Sequence, residues 1–251
     1  MSFKARLNAG DKLYGTMLTL ASPEVAEMVS MCDVDWLFLD GEHAPLAPLD
    51  WQRVIQATAG RCANLLRIPD DSEAAIKQAL DIGADGIIVP AVNSVEQARH
   101  VVQCCKYPPQ GTRGVGLARA HGYGLTFGDY VARANEELVV IVQAEHIDAV
   151  ENIEAITAVA GIDCVFIGPY DLSASMGLMG EVTHPDVVAA IDRVRSSCVD
   201  KGIALGYFGV DVESVTAYRD SDYGLICVAT DAGLLTSSVS QVIDALRGSG
   251  E

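Results

Sequence analysis

Lysine is scarce in this chain, present only as Lys4, Lys12, Lys77, Lys106 and Lys201. None of them ends a predicted strand, and Schiff-base catalysis, which needs a desolvated amine at the site, is therefore disfavoured. All basic residues together number 17 against 34 acids, a formal charge of −17 with a pI near 4.5. A surface of that sign repels nucleic acid and anionic membrane, and neither is expected as a partner. No run approaches the roughly 18 apolar residues of a membrane span, and Met1 to Lys12 hold no apolar stretch of signal-peptide type. The expectation is a soluble cytoplasmic protein. The seven cysteines (Cys32, Cys62, Cys104, Cys105, Cys164, Cys198, Cys227) are odd in number and lack C-x-x-C spacing. They imply neither a disulfide framework nor a zinc site, and read as reduced, small hydrophobes. A Gly-x-Ser-x-Gly elbow, a P-loop and a Gly-x-Gly-x-x-Gly turn after the first strand are missing too.

What is present is a chain of 251 residues, half of them hydrophobic, enough to bury one large core. Short β-rich runs near 13–18, 36–40, 63–67, 86–89, 138–143, 164–167, 203–207 and 224–228 alternate with helical spacing. Helix starts are signalled by Ser94 with Gln97 ahead of Val95, Ala98, Val101, Val102 and Cys105, and by Asp211 ahead of Val212, Val215 and Tyr218. The strands are apolar throughout rather than alternating, as when both faces are covered. Eight strand–helix units predict a single-domain α/β protein over residues 1–251, a closed (β/α)8 TIM barrel. The stretch 106–137, rich in Gly, Pro, Arg and aromatics, is too long for a default connection; it is expected to close over the site or pack on a neighbouring subunit.

Three apolar strands end in acids: Leu37-Phe38-Leu39-Asp40-Gly41-Glu42-His43, then the run from Leu138 through Gln143-Ala144-Glu145, then Cys164 to Gly168-Pro169-Tyr170-Asp171. Strand C-termini are where such a barrel builds its active site. Glu145 and Asp171 should end neighbouring strands five and six, where two carboxylates share a hard cation (magnesium, manganese or cobalt) and leave positions for water and substrate. His43, beside Asp40 and Glu42, is the candidate base, since a carboxylate on one ring nitrogen makes the other more basic. His100 within a helix, His121 in the long loop, His184 before Pro185 and His146 next to Glu145 are weaker candidates. Arg67 ends the third strand, where its fork suits a substrate carboxylate or an enolate oxygen; pairing with Glu42 or Glu145 is the structural alternative. Gln143, two residues before Glu145, shares its side of the strand.

Taken in order, Asp40-Gly41-Glu42-His43-Ala44-Pro45, Arg67, Gly111-Thr112-Arg113-Gly114-Val115-Gly116, Gln143-Ala144-Glu145 and Gly168-Pro169-Tyr170-Asp171-Leu172-Ser173 resemble the HpcH/HpaI aldolase family, metal-dependent class II pyruvate aldolases. The resemblance runs from about Gly15 to Leu235. It implies a divalent metal on Glu145 and Asp171, His43 and Asp40 as a base pair acting through a water on the metal, and Arg67 on the 2-oxo acid. Backbone amides near Tyr170 and Asp171, with Gly168, would receive the substrate carboxylate; apart from the resemblance, the shape of the aldehyde pocket is expected to depend on Phe208, Tyr123, Leu172 and the long loop. The resemblance also implies a hexamer in which Asp81 reaches the neighbouring site. His146 stands where a small hydroxyl residue is common, and Ala229 where glycine is expected. The implied activity is reversible addition of pyruvate or a related 2-oxo acid to an aldehyde. An acyl-CoA lyase on a related barrel and a non-catalytic 2-oxo-acid-binding barrel are the alternatives.

Overall fold

The structure is a computed structural model that describes residues 1–248. Eight parallel strands close into a barrel in sequence order: β1 (Leu13–Leu18), β2 (Trp36–Asp40), β3 (Ala63–Arg67), β4 (Gly86–Val89), β5 (Val139–Ala144), β6 (Cys164–Ile167), β7 (Ala204–Gly209) and β8 (Leu225–Thr230). Helices follow the strands, and the fold is the expected (β/α)8 barrel.

Alternate residues of each strand enter different cores, which is why the sequence shows no polar face. On β2, Trp36 and Phe38 point inward to a cluster with Leu13, Met17, Leu65, Ile141 and Phe166, while Leu37 and Leu39 face the helices. Trp36, Phe38 and Phe166 form a plug with centroids 5.7 to 6.3 Å apart, floored beneath the C-terminal mouth. The plug requires Gly206, where an added Cβ would lie 2.2 Å from Phe166 Cδ2.

Ser94 caps its helix through Gln97 N–H as expected, but the Gln97 side chain accepts from Asn93 N–H rather than closing the box on Ser94. The 106–137 segment is more ordered than a loop. It carries a 3-10 turn at Arg119–Gly124 and a helix at Phe127–Glu137. Arg113 lies between Tyr107 and Tyr130, 4.5 and 5.7 Å from their centroids, and pairs with Asp81 at 2.9 Å; Arg119 donates to the Ile82 carbonyl. These contacts draw the segment down onto the outer helix Glu73–Asp81, so it does not close over the mouth of its own barrel.

The last helix, Asp231–Arg247, departs from the pattern. Asp231 fixes its first turn to the Thr19 and Leu20 amides, after which the helix stands clear of the barrel and exposes Leu234, Leu235, Val239, Val242, Ile243 and Leu246. The barrel flank beside it holds an apolar groove of about 770 Å3, lined by Val29, Val34, Val212 and Val228 among others. Among the described residues no helix is long and apolar enough to cross a membrane.

Candidate active site

Strand register decides which side chains meet at the mouth. Asp40 of β2 is level with Arg67 of β3, and Ala144 of β5 with Ile167 of β6, so Glu145 and Gly168 follow side by side. Arg67 donates through Nε to Asp40 Oδ1 at 3.0 Å, with Nη2 2.9 Å from the same oxygen. Its Nη1 is 3.2 Å from Glu42 Oε2, close enough for an ion pair although not aligned as a hydrogen bond. The guanidinium also lies 5.1 Å over the Phe38 ring. Both Arg67 and Asp40 are almost wholly buried, and a buried charge of this kind is retained only with its partner.

The expected link between Asp40 and the His43 ring takes another form. Asp40 Oδ1 accepts from the backbone N–H groups of Glu42 and His43, which fixes the loop, whereas the imidazole Nε2 is 3.7 Å from Glu42 Oε2. The Asp40 carboxylate, level with a guanidinium, is engaged by it; the more open Glu42 is left for the ring. Burial raises the Glu42 carboxyl above its usual range, opposed by Arg67 and His43 and reinforced by Asp40 and Asp171.

Glu145 is buried at the end of β5. Its Oε1 accepts from Ala91 N–H at 2.7 Å and its Oε2 from Gln143 Nε2. Burial pushes its carboxyl up to about 7, eased by the Ala91 N–H and raised further by Glu42 and Asp171. Asp171 lies in the first turn of the helix Pro169–Ser175 and is exposed, facing the same cavity as Glu145. Gly168 lies tight against Glu145: an added Cβ would be 2.9 Å from Glu145 Oε2 and 3.0 Å from its Cβ, so a larger residue would have to displace that side chain.

Two cavities meet at His43 and Asp171, and Glu145 lines one of them. One, of about 400 Å3, is lined by Met17, Phe38, Arg67, Phe166 and Phe208 with Gln143, Gly168, Tyr170 and others. The second, of about 310 Å3, is lined by Glu42, His43, Ala91, Asn93, Glu145, His146, Asp171 and Ser175. His43 and Asp171 line both. Among the described residues no three His, Cys, Asp or Glu side chains form a metal-ligand group. The pair Glu145 and Asp171 nonetheless suits a hard cation in the chemistry of its donors, since both are carboxylates lining one cavity with no Lys or Arg among its lining residues.

The structure therefore brings together His43, Asp40, Arg67, Gln143, Glu145, Gly168, Tyr170, Asp171 and Phe208. Asp81 is not among them within one chain; it sits at the end of an outer helix, held by Arg113. Tyr123 lines a separate surface cavity with Asp81 and Arg119, and Leu172 is wholly buried in the core, so neither shapes the site. Met17, Phe38, Phe166, Asn93 and Ser175 are lining residues the sequence reading passed over. Phe38 and Phe166 were findable, Phe38 standing two positions before Asp40 on β2 and Phe166 two before Gly168 just past β6.

A barrel whose strand ends gather two carboxylates, an arginine held by acids and a histidine defines a class of enzymes acting on small oxygen-rich substrates at the C-terminal mouth. The particular family follows from comparison: the HpcH/HpaI aldolase/citrate lyase profile matches residues 13–238, and the chain belongs to that family. It is 38% identical over 249 residues to a hydroxypyruvate/pyruvate aldolase of Chromohalobacter salexigens, covering 98% of this chain and 97% of that protein. It is 40% identical over 244 residues to a 2-keto-3-deoxy-L-rhamnonate aldolase of Salmonella gallinarum, covering 94% and 90%. A crystal structure of a family protein from Burkholderia cenocepacia J2315 superposes with a TM-score of 0.94 at 36% identity, covering 97% of this chain and 98% of that one.

Proposed function

We propose that this chain is a class II aldolase, a divalent-metal-dependent carbon–carbon lyase that adds the enolate of pyruvate or a close 2-oxo acid to an aldehyde and cleaves 4-hydroxy-2-oxo acids in reverse. The observation that carries the reading is the convergence of Glu145 and Asp171 on one cavity beside Arg67, in a chain whose relatives are named aldolases. Glu145 and Asp171 would hold the cation, magnesium, manganese or cobalt. Bound there, such an ion supplies Lewis acidity toward the oxygens of the 2-oxo acid.

The chain's own residues do the rest. Arg67, fixed by Asp40 and Glu42, presents its remaining N–H groups to negative charge on the 2-oxo acid, and its rigidity means no reorganisation is needed as that charge grows. The first-turn amides of Tyr170 and Asp171, with Gly168, receive the carboxylate. Gln143 clamps Glu145, and the aromatic wall of Phe38, Phe166 and Phe208 keeps water from the donor carbon. His43, the exposed base at the junction of the cavities, removes the methyl proton and returns it to the aldehyde oxygen.

Deuterium exchange at the pyruvate methyl in D2O with added Mn2+ or Mg2+ tests this reading. Chelation, Glu145→Ala or Asp171→Ala should abolish exchange, and His43→Ala should slow it by about 10²-fold or more while Mn2+ still binds. Full activity after chelation would overturn the assignment.

The same reading includes a homo-oligomer, a hexamer as the resemblance implies, with Asp81 serving a neighbour's site. The apolar face of Asp231–Arg247 and the open groove beside it support self-association. Seven free thiols, six of them buried, support a reducing cytoplasmic location.

A further inference from the structure

The two acids are not held in the same way. Glu145 is gripped from two strands, by the Ala91 N–H just past β4 and by Gln143 on β5. Asp171 is exposed and takes its place from the helix Pro169–Ser175, only 7 residues long. The β5–β6 ladder that sets the two segments side by side is registered as far as Ala144 and Ile167. Beyond it each segment turns into a helix, Ile147–Glu151 after Glu145 and Pro169–Ser175 around Asp171.

Past that point a hydroxyl joins them. Ser175 Oγ accepts from Ile147 N–H at 3.0 Å and donates to the Leu172 carbonyl at 2.7 Å. The roles are forced, because the N–H can only donate, the carbonyl can only accept, and a serine hydroxyl has one proton to give. Ile147 opens its helix, so its N–H is one of the donors that a helix start leaves without a partner inside the helix. Ile147 stands two positions after Glu145, and Leu172 one after Asp171. The bridge therefore runs from the backbone beside one acid to the backbone beside the other, and Ser175 lines the cavity they share. We propose that Ser175 is a positioning residue for the reaction: its hydroxyl fixes the separation of Glu145 and Asp171 and so sets how tightly the pair holds a divalent cation. The proposal rests on the aldolase reading above and deepens it.

Ser173 provides an internal comparison. Its Oγ makes a bridge of the same kind, donating to the Tyr170 carbonyl at 2.7 Å and accepting from Gly180 N–H at 3.1 Å. That bridge ties the same helix to the chain that follows it and not to the Glu145 segment. Of the two serines, then, Ser175 is the one whose loss frees one acid from the other. Carboxylates that can swing apart lose the preset geometry a cation needs, and residues that orient metal ligands typically matter about 10- to 100-fold in affinity.

Mn2+ binding to the metal-free protein, read from water-proton relaxation, tests the proposal independently of turnover. Ser175→Ala should raise the Kd for Mn2+ about tenfold or more, and the Mn2+ concentration giving half-maximal pyruvate methyl exchange should rise in step. Ser175→Thr keeps the hydroxyl and should stay within about threefold of the parent, as should Ser173→Ala, which removes the comparison bridge from the same helix. Unchanged affinity in Ser175→Ala, or an equal loss in Ser175→Thr, overturns the proposal. So does an equal loss in Ser173→Ala, because any loosening of the helix would then suffice. The urea midpoint of each metal-free variant reports the fold, and a loss of affinity that merely follows the midpoint across all three also overturns it. The parent protein separates the two readings. If it binds Mn2+ and exchanges the methyl while Ser175→Ala binds equally well, the positioning role alone fails. If it binds Mn2+ and is weakened by Ser175→Ala but exchanges nothing, the aldolase reading alone fails, and if it binds no Mn2+, both fail.

Discussion

At the scale of single residues, the site is an argument about unpaired charge. Removing one member of the buried Arg67–Asp40 pair strands the other, which typically costs about 3–5 kcal/mol. Arg67→Met should therefore lower the urea midpoint markedly, and adding Asp40→Asn should restore part of the loss; a destabilisation that the second change deepens instead would refute the pairing argument. Glu145 gives a prediction in pH. Burial pushes its folded carboxyl up to about 7 from the ordinary 4.5 of a glutamate, so the metal-free folded state holds the proton more tightly than the unfolded chain. The stability tied to that proton is complete below about pH 4.5 and is lost as pH rises through about 7. In chelator, Glu145→Gln should match the parent near pH 4 and exceed it at pH 8 by up to about 3 kcal/mol. Urea titrations at the two pH values decide, and a gap independent of pH would contradict the buried-acid account.

At the scale of elements, period and register account for what the sequence did and did not reveal. All eight strands were legible as short apolar runs between helical patterns, several of them stopped by Gly, Pro or an acid, and the strand ends then named Asp40, Arg67, Glu145 and Asp171. The 106–137 segment was not: its docking depends on Arg113 finding Asp81 thirty-two positions away, a tertiary pairing with no local signature. The partner of the His43 ring was also hidden, since choosing between Asp40 and Glu42 needs the β2–β3 register that commits Asp40 to Arg67. That register makes the β6 turn sensitive as well. Gly168→Ala should displace Glu145 and lower Mn2+ affinity about tenfold or more with little change in circular dichroism. Unaltered Mn2+ binding, followed by the paramagnetic relaxation of water protons, would show that the tight contact does not govern the acid.

For the molecule as a whole, the helix Asp231–Arg247 is the element least accounted for by its own barrel. A lone chain showing that apolar face would associate, and its stability would then depend on concentration by mass action. Leu235→Asp combined with Val239→Asp should shift the sedimentation coefficient toward that of a single chain and lower Tm. A parent protein that sediments as a monomer would overturn the oligomer reading.

The placement of the two tryptophans has a practical corollary. Trp36 belongs to the aromatic plug, 6.1 Å from the Phe38 ring that supports Arg67, and Trp51 packs beneath Gly41, between Asp40 and Glu42. The native emission of this protein thus arises beside the residues that hold Arg67, and addition of pyruvate with Mn2+ should alter its intensity, an outcome that a fluorescence titration checks.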